Sequence, residues 1–351
     1  MRLLLKAALS LALSAVATAQ SELTFTINQA QSNFTWSGTS TLGAIVGNPS
    51  TAFQMSGTTS VRTYPLGSDA LDSADMPGNG DAAVVPDLHG KINNILPFLP
   101  PLATIDITNL HLKVNATQFF VATNGAFSTS MSLTAISGTM TVTPLGSAAS
   151  NQNLAGMAST PQAQSGTLTQ ASTTLNLVLP VNTTFPFSDP TSGASGSITI
   201  TGTLRAAWTC PTPTTYCTAK TNSLGCVPAI GSSGSASWTS AAPFTVSATN
   251  ELNQKSGLLF FGFAASSAPF QGGTKCVASP TLRTGAQSSG GSVLGSDCSG
   301  TYAFELNSLI QSHTIPALIP GEELFAQVWS RDPGSASTTN LTDALRFTIC
   351  H

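Results

Sequence analysis

The sequence predicts an all-β chain: an antiparallel β-sandwich or barrel followed by a smaller disulfide-bonded β-sandwich. Three observations carry this reading. Apolar residues alternate with Thr, Ser or Asn in run after run, with a period of two; helical spacing is nearly absent; and all six cysteines lie from Cys210 onward. Alternation sends one set of side chains into a core and the other toward water, which is the signature of half-buried antiparallel strands.

The chain opens with Arg2 and Lys6, an Ala/Leu run over residues 7–16 and the small-residue site Ala17-Thr18-Ala19. This pattern predicts a signal peptide over residues 1–19, cleaved before Gln20, and hence a secreted or extracellular protein. The apolar run is too short for a membrane span, as is Gly257–Ala265 further on. Residues 20–208 hold no cysteine and form the first predicted domain. Its runs include Leu23-Thr-Phe25-Thr-Ile27, Phe34-Thr-Trp36, Met140-Thr-Val142, Leu175-Asn-Leu177-Val-Leu179 and Ile198-Thr-Ile200. Ile105-Asp-Ile107 followed by Leu110-His-Leu112 changes phase at Thr108-Asn109, which predicts a bulge. Gly-Thr recurs at Gly138, Gly166 and Gly202 with unequal spacing, which fits several strands of one sandwich or barrel better than a solenoid. Small polar residues over 145–164 predict a long loop or excursion.

Residues 209–216, rich in Pro and Thr, read as a linker to a second domain over residues 217–351. There the runs are short and aromatic, and Gly257-Leu-Leu-Phe-Phe-Gly262 is apolar on both faces, as a central strand covered on both sides would be. Six cysteines in an exported chain predict disulfides, and no C-x2-C pair points to zinc. Six cysteines allow 15 pairings, and our expectation is Cys217 with Cys226, Cys276 with Cys298, and Cys210 with Cys350.

The segments Tyr216–Cys226, GLLFFG, APFQGGTKCV, DCSGTYAFELN, WSRDPGS and LTDALRFTIC resemble a module that closes many secreted proteins of planctomycete-type bacteria. The resemblance implies a C-terminal, disulfide-bonded extracellular unit that serves attachment, display or recognition. Lys275 stands where that module usually has an apolar residue, and the departure touches none of the sites proposed from sequence. The opening of the first half resembles, in strand rhythm and glycine placement, the lipocalin-like polyisoprenoid-binding family.

Charge excludes some partners. Only 27 residues are charged against 93 Ser and Thr, and a net charge of −3 gives no footprint for nucleic acid. Asp69, Asp72, Asp75, Asp81 and Asp87 crowd one Gly-rich stretch and are a candidate weak calcium site, set against an ordinary acidic turn. Apart from calcium no cofactor is expected. His89 and His111 have Asp87 and Asp106 nearby in sequence, as a general base would need, but no G-x-S-x-G or H-E-x-x-H occurs. The simpler place for His111 is the solvent face of a strand. Glu322 and Glu323 are neighbours on opposite faces and cannot flank one sugar bond, so they read as a turn after Pro320-Gly321.

Trp329, Arg331 and Asp332 combine an indole, a guanidinium and a carboxylate at a strand end and are the candidate ligand-binding residues. The plainer reading is Arg331 covering Trp329, an Asp-Pro turn, and Asp343 pairing with Arg331. Taken together, the sequence predicts a secreted, non-enzymatic structural or recognition protein at or outside the cell envelope, with a cell-surface or matrix polymer as candidate partner. Two alternatives stand beside it: a carrier of an apolar ligand in a first-half barrel lined by Phe25, Phe34, Trp36, Leu110, Leu177 and Ile200, and a hydrolase using His89 or His111.

Overall fold

The computed structural model describes residues 21–66, 69–188 and 195–351; the predicted signal peptide and its cleavage site lie outside the described residues. The first part of the chain supplies β1 (Ser21–Ile27), β2 (Asn33–Ser40), β3 (Gly43–Gly47), β4 (Ala52–Leu66), β5 (Asp69–Pro77), β6 (Ala82–Val85), β7 (Leu88–Ile92), β8 (Ala103–Phe120), β9 (Ala126–Pro144), β10 (Ser150–Asn153), β11 (Gln162–Ala171), β12 (Thr174–Ser188) and β13 (Ser195–Thr209). Alternation does what it predicts. In β1, Leu23, Phe25 and Ile27 are buried while Glu22, Thr24 and Thr26 face water, and β8 and β12 repeat the pattern.

Pairing decides between barrel and sandwich. β1 pairs with β4 on one edge and β13 on the other, and the circuit β1–β4–β5–β8–β9–β11–β12–β13 returns to its start, antiparallel throughout. The first part is therefore a closed barrel, with its apolar residues inside. Toward the other end, β2, β3 and β7 take over the wall between β13 and β8. There the circuit has a seam: among the described residues β10 pairs with β9 alone, and the second half of β12 with β13 alone.

The predicted excursion over residues 145–164 patches this seam. The Leu154 N–H donates to Gly138 O (2.9 Å) and the Thr160 N–H to Thr184 O (3.0 Å), while Leu154 drops into the core with Met157 packed beside it. The bulge is where the change of phase puts it. The β8–β9 register shifts between Thr108 and His111, with Asn109 at φ 52°, and Gly138 opposite has φ 140°, which a side chain would strain. Gly138, Gly166 and Gly202 lie on β9, β11 and β13 of the one barrel.

The second part supplies β14 (Thr214–Tyr216), β15 (Ala229–Ser233), β16 (Thr245–Glu251), β17 (Ser256–Gly262), β18 (Ala265–Phe270), β19 (Gly273–Val277), β20 (Leu282–Arg283), β21 (Gln287–Ser288), β22 (Gly300–Glu305), α1 (Asn307–Gln311), β23 (Glu323–Arg331) and β24 (Thr339–Thr348). One sheet runs β14–β24–β23–β17–β20, with β21 also on β17; a second runs β15–β16–β22. Val246, Tyr302 and Phe304 of the second pack against Leu259, Phe261, Val328 and Phe347 of the first. On the opposite face of β17, Phe260 and Leu258 pack with Val277, Leu341 and Trp329 under the β18–β19 hairpin. β17 is thus covered on both sides, as its loss of alternation predicts.

Two expectations are corrected. Residues 214–216 of the predicted linker form β14 and pair with β24, so only residues 210–213 lie between the two sets of strands. Cys210 pairs with Cys350 as expected, but Cys217 pairs with Cys276 and Cys226 with Cys298. Proximity in sequence misled the pairing: the β18–β19 hairpin folds over the sheet and carries Cys276 to the Cys217 segment.

The sandwich seats on the closed end of the barrel. The His351 main-chain oxygen accepts from Gln170 Nε2 (2.6 Å), its ring meets Trp208 edge-on at 5.9 Å, and Gly321 packs against Ser21 and Leu23. Replacing Cys210 and Cys350 by Ser is expected to lower the unfolding free energy by roughly 2–5 kcal/mol, read by urea denaturation. Non-reducing peptide mapping should return 217–276 and 226–298; a 217–226 peptide would refute the fold of the hairpin.

Candidate functional site

A cleft of about 300 Å3 opens on the outer face of the sandwich, lined by Leu258, Phe260, Phe270, Gln271, Lys275, Thr281, Arg283 and Trp329. Alternation along β17 turns Leu258 and Phe260 to this face, and Trp329 stands opposite Leu258 in the β17–β23 ladder. Phe270, Gln271 and Lys275 come from the β18–β19 hairpin, which buried polar groups pin in place. Gln327 Oε1 accepts from the Cys276 N–H (3.0 Å), its Nε2 donates to Thr274 O (3.0 Å) and Thr342 O (2.7 Å), and Tyr216 Oη donates to Cys276 O (2.6 Å). Burial pushes the Tyr216 hydroxyl up to about 12, so it stays a donor throughout the physiological range.

Inside the cleft the Trp329 indole donates to Gln271 Oε1 (3.0 Å), which also accepts from Thr339 Oγ1 (2.9 Å). The Arg331 guanidinium lies 5.5 Å from the centre of the Trp329 ring, the cation–π contact of the plainer sequence reading. Lys275 Nζ donates to Ser279 Oγ (2.9 Å). The lining thus contains two cations and no carboxylate, with a third cation stacked on its Trp. Aromatic surface beside guanidinium and ammonium groups can stack on a ring and bind an anionic group at once. Sequence reasoning found Trp329 and Arg331 and missed Phe270, Gln271 and Arg283. It also set Lys275 apart from any site, whereas Lys275 and Trp329 line the same cleft; hairpin packing brings them together, and no local pattern announces it.

Asp332 does not join this group. It follows Arg331 by one residue, so alternation sends it inward, where it is fully buried and its Oδ2 accepts from the Ser223 N–H (2.8 Å). The Asp-Pro turn forms, with the Ser335 N–H donating to Asp332 O (3.0 Å). Asp343 does not pair with Arg331 as expected; it accepts from the Ile230 N–H (2.7 Å). Glu322 sits in the expected turn, its N–H donating to Ile319 O (3.2 Å), and Glu323 begins β23 and pairs with Arg346 (3.5 Å).

The candidate calcium site is also corrected. Asp75 pairs with Arg62 (3.1 Å) and accepts from Tyr64 Oη (2.7 Å), Asp81 meets His111 (2.7 Å), Asp87 accepts from the Asn109 N–H (2.9 Å), and Asp69 caps the Leu71 N–H (2.9 Å). Asp69, Asp72 and Asp75 lie along β5 and Asp81 and Asp87 in the turns on either side of β6, and among the described residues no three metal-ligating side chains of His, Cys, Asp or Glu converge. His89 does find Asp106, directly opposite it in the β7–β8 ladder at 2.6 Å. Both His–Asp pairs sit partly exposed on the outer wall of the barrel, where cross-strand pairing accounts for them.

The barrel interior holds a wholly apolar cavity of about 40 Å3 beside the seam, bordered by Leu110, Met140, Leu154, Met157, Phe185 and Ile200 among others. Of the predicted lining, Leu110 and Ile200 border it, whereas Phe25, Phe34, Trp36 and Leu177 are buried in the surrounding core.

One acid in the sandwich stands apart. Burial pushes the Glu251 carboxyl up to about 7; a hydrogen bond from Ser330 works against the shift and the charge of Asp332 adds to it. A carboxyl whose folded value lies above its unfolded one stabilises fully below about 4.5, and the benefit is lost as pH rises through 7. In metal-free buffer, stability should therefore fall between these values by on the order of 3 kcal/mol, and Glu251→Gln should flatten that fall in urea titrations repeated across pH. Comparison of the chain with protein-family models, with curated proteins and with solved structures found no match.

Proposed function

We propose that this chain is an exported, non-enzymatic recognition protein whose second module holds an anionic polymer of the cell surface or surrounding matrix in the Trp329 cleft. The observation that carries the reading is the lining itself: Lys275 and Arg283 beside Trp329, Phe260 and Phe270 without a carboxylate, in a chain of net charge −3. A local positive cleft on an acidic molecule selects for negative partners that also offer a stackable or apolar surface. The cleft is open and about 300 Å3, a size that suits a few units of a polymer. Three disulfides fit an oxidising compartment, and among the described residues no helix is long and apolar enough to cross a membrane.

The test is sedimentation of the protein with cell-envelope and acidic-polysaccharide preparations. The parent chain should co-sediment in a salt-sensitive manner, and Trp329→Ala or Arg283→Ala should weaken binding by about tenfold, the loss of one good contact. Binding that is unchanged in both variants, or absent from acidic and neutral polymers alike, would refute this reading.

A second reading, carriage of an apolar ligand, is favoured by the apolar cavity at the seam. Leu42, Ile95, Leu96, Phe98, Leu99 and Leu145, all exposed on loops at that end of the barrel, add apolar surface there without lining the cavity. At about 40 Å3 the cavity is far below the roughly 300 Å3 of the smallest ordinary ligand pockets, so loading would require the patch over residues 154–161 to move. Organic extraction of natively purified protein followed by mass spectrometry should release a lipid if this holds; a clean extract from protein that also refuses loading removes it.

A further inference from the structure

At one end of the space between the two sheets of the sandwich, polar side chains meet out of water. Glu251 and Asn340 are each 1% exposed and Asp332 is 0% exposed, with Ser330 buried beside them. Strand geometry aims them together. Ser330 and Asp332 are two residues apart, so they leave the chain on one side, and Asn340 stands directly opposite Ser330 in the β23–β24 ladder, which puts its side chain on that same face. Glu251 arrives from the other sheet. The β16–β22 register shifts between Ala248 and Glu251, with Asn250 at φ 58°, and the bulge turns Glu251 inward. Its Oε2 accepts from Ser330 Oγ at 2.8 Å, which fixes the meeting point.

The remaining atoms of this group lack partners. Glu251 Oε1, Asp332 Oδ1, Asn340 Oδ1 and Asn340 Nδ2 are all buried without a hydrogen bond. Native interiors leave few such atoms unmatched, and four of the nine found among the described residues belong to this one group. The described ion pairs involve neither acid. Lys255 lines the adjoining cleft of about 280 Å3 with Ser223, Asn253 and Gly334, and does not come within ion-pair distance of Glu251 or Asp332. That cleft gives a route inward, since a Cβ at Gly334 would stand 3.7 Å from Asp332 Oδ1.

We propose that Glu251 Oε1, Asp332 Oδ1 and Asn340 Oδ1 form a Ca2+ site that ties the two sheets of the sandwich together. The donors are all hard oxygens, their two negative charges match a divalent ion, and the adjoining cleft admits water to complete the six to eight ligands that Ca2+ takes. The Asn340 amide is the independent sign of a ligand: it is 1% exposed, aimed into the group by its register with Ser330, and its oxygen has no donor from the protein. The site does not depend on the polymer-binding reading and is tested without a polymer.

The experiment uses the full, disulfide-bonded chain, stripped with EDTA, and follows Ca2+ by isothermal titration calorimetry and thermal unfolding. One Ca2+ per chain is expected, with a Kd of roughly 0.1–1 mM as in other extracellular modules, and a higher Tm in millimolar Ca2+. Glu251→Gln and Asp332→Asn should abolish the heat and the Tm shift, while Asp75→Asn in the barrel should leave both unchanged. Asn340→Asp should tighten binding by adding a charged ligand, a gain that misfolding cannot mimic. Absence of heat and of any Tm shift in the parent chain would overturn the proposal, as a proton shared between Glu251 and Asp332 would predict. So would binding that persists in both Glu251→Gln and Asp332→Asn, or that Asn340→Asp leaves no tighter.

Discussion

The junction at Cys210, Cys350 and His351 holds the two parts of the molecule in one arrangement. Cys210 follows the last barrel strand and Cys350 follows β24, so their disulfide ties the exit of one fold to the closing strand of the other across 140 residues of sequence. β24 itself lies between β14 and β23, and β23 pairs in turn with β17, so the tether reaches the middle of the sandwich through successive ladders. Around it, Gln170 and Trp208 of the barrel contact His351 directly. The seat covers the closed end of the barrel and leaves the end with the seam facing away.

Hydroxyl chemistry explains how so large a β structure manages with so little charge. On the outer wall, Thr39 bonds Ser197 (3.1 Å), Ser128 bonds Ser165 (2.8 Å), Thr184 bonds Thr199 (3.0 Å) and Thr174 bonds Thr209 (3.2 Å), each pair joining neighbouring strands. Such pairs link strands without the desolvation and screening that limit exposed ion pairs. β-branched Thr also suits the pleated surface it covers. The wall is polar outside and apolar inside, opposite to a barrel whose outer band meets lipid.

In the sandwich, buried polar groups take the organising role. The fully matched amide of Gln327 sets the height of the β18–β19 hairpin over the sheet, and with it the distance between Trp329 on the sheet and Lys275 on the hairpin. On the opposite face of the same strand, Ser330 and Asp332 enter a group whose polar atoms are not matched by the protein alone. One β-strand therefore presents a cleft to the outside and an acidic pocket to the inside, and alternation alone separates the two.

Local features of the chain were legible from sequence because they are set by neighbours one or two residues away. The period-two runs, the bulge at Asn109, the doubly covered β17 and the turns at Pro320-Gly321 and Asp332-Pro333 all follow from side-chain direction and backbone preference. Features that depend on which strand edges meet were not. Barrel closure required β1 to find β13, the pairing of Cys217 with Cys276 required the hairpin to fold over the sheet, and the aspartates of β5 and the turns after it were drawn to partners such as Arg62, His111 and the Asn109 N–H rather than to one another. The acidic pocket is the extreme case. Glu251, Asp332 and Asn340 are brought together by a bulge in one sheet and a cross-strand register in the other, and neither leaves a trace in composition or spacing. By itself the sequence determined that this would be an all-β protein; long-range pairing, which no local propensity encodes, decided that it would be a barrel seated on a crosslinked sandwich.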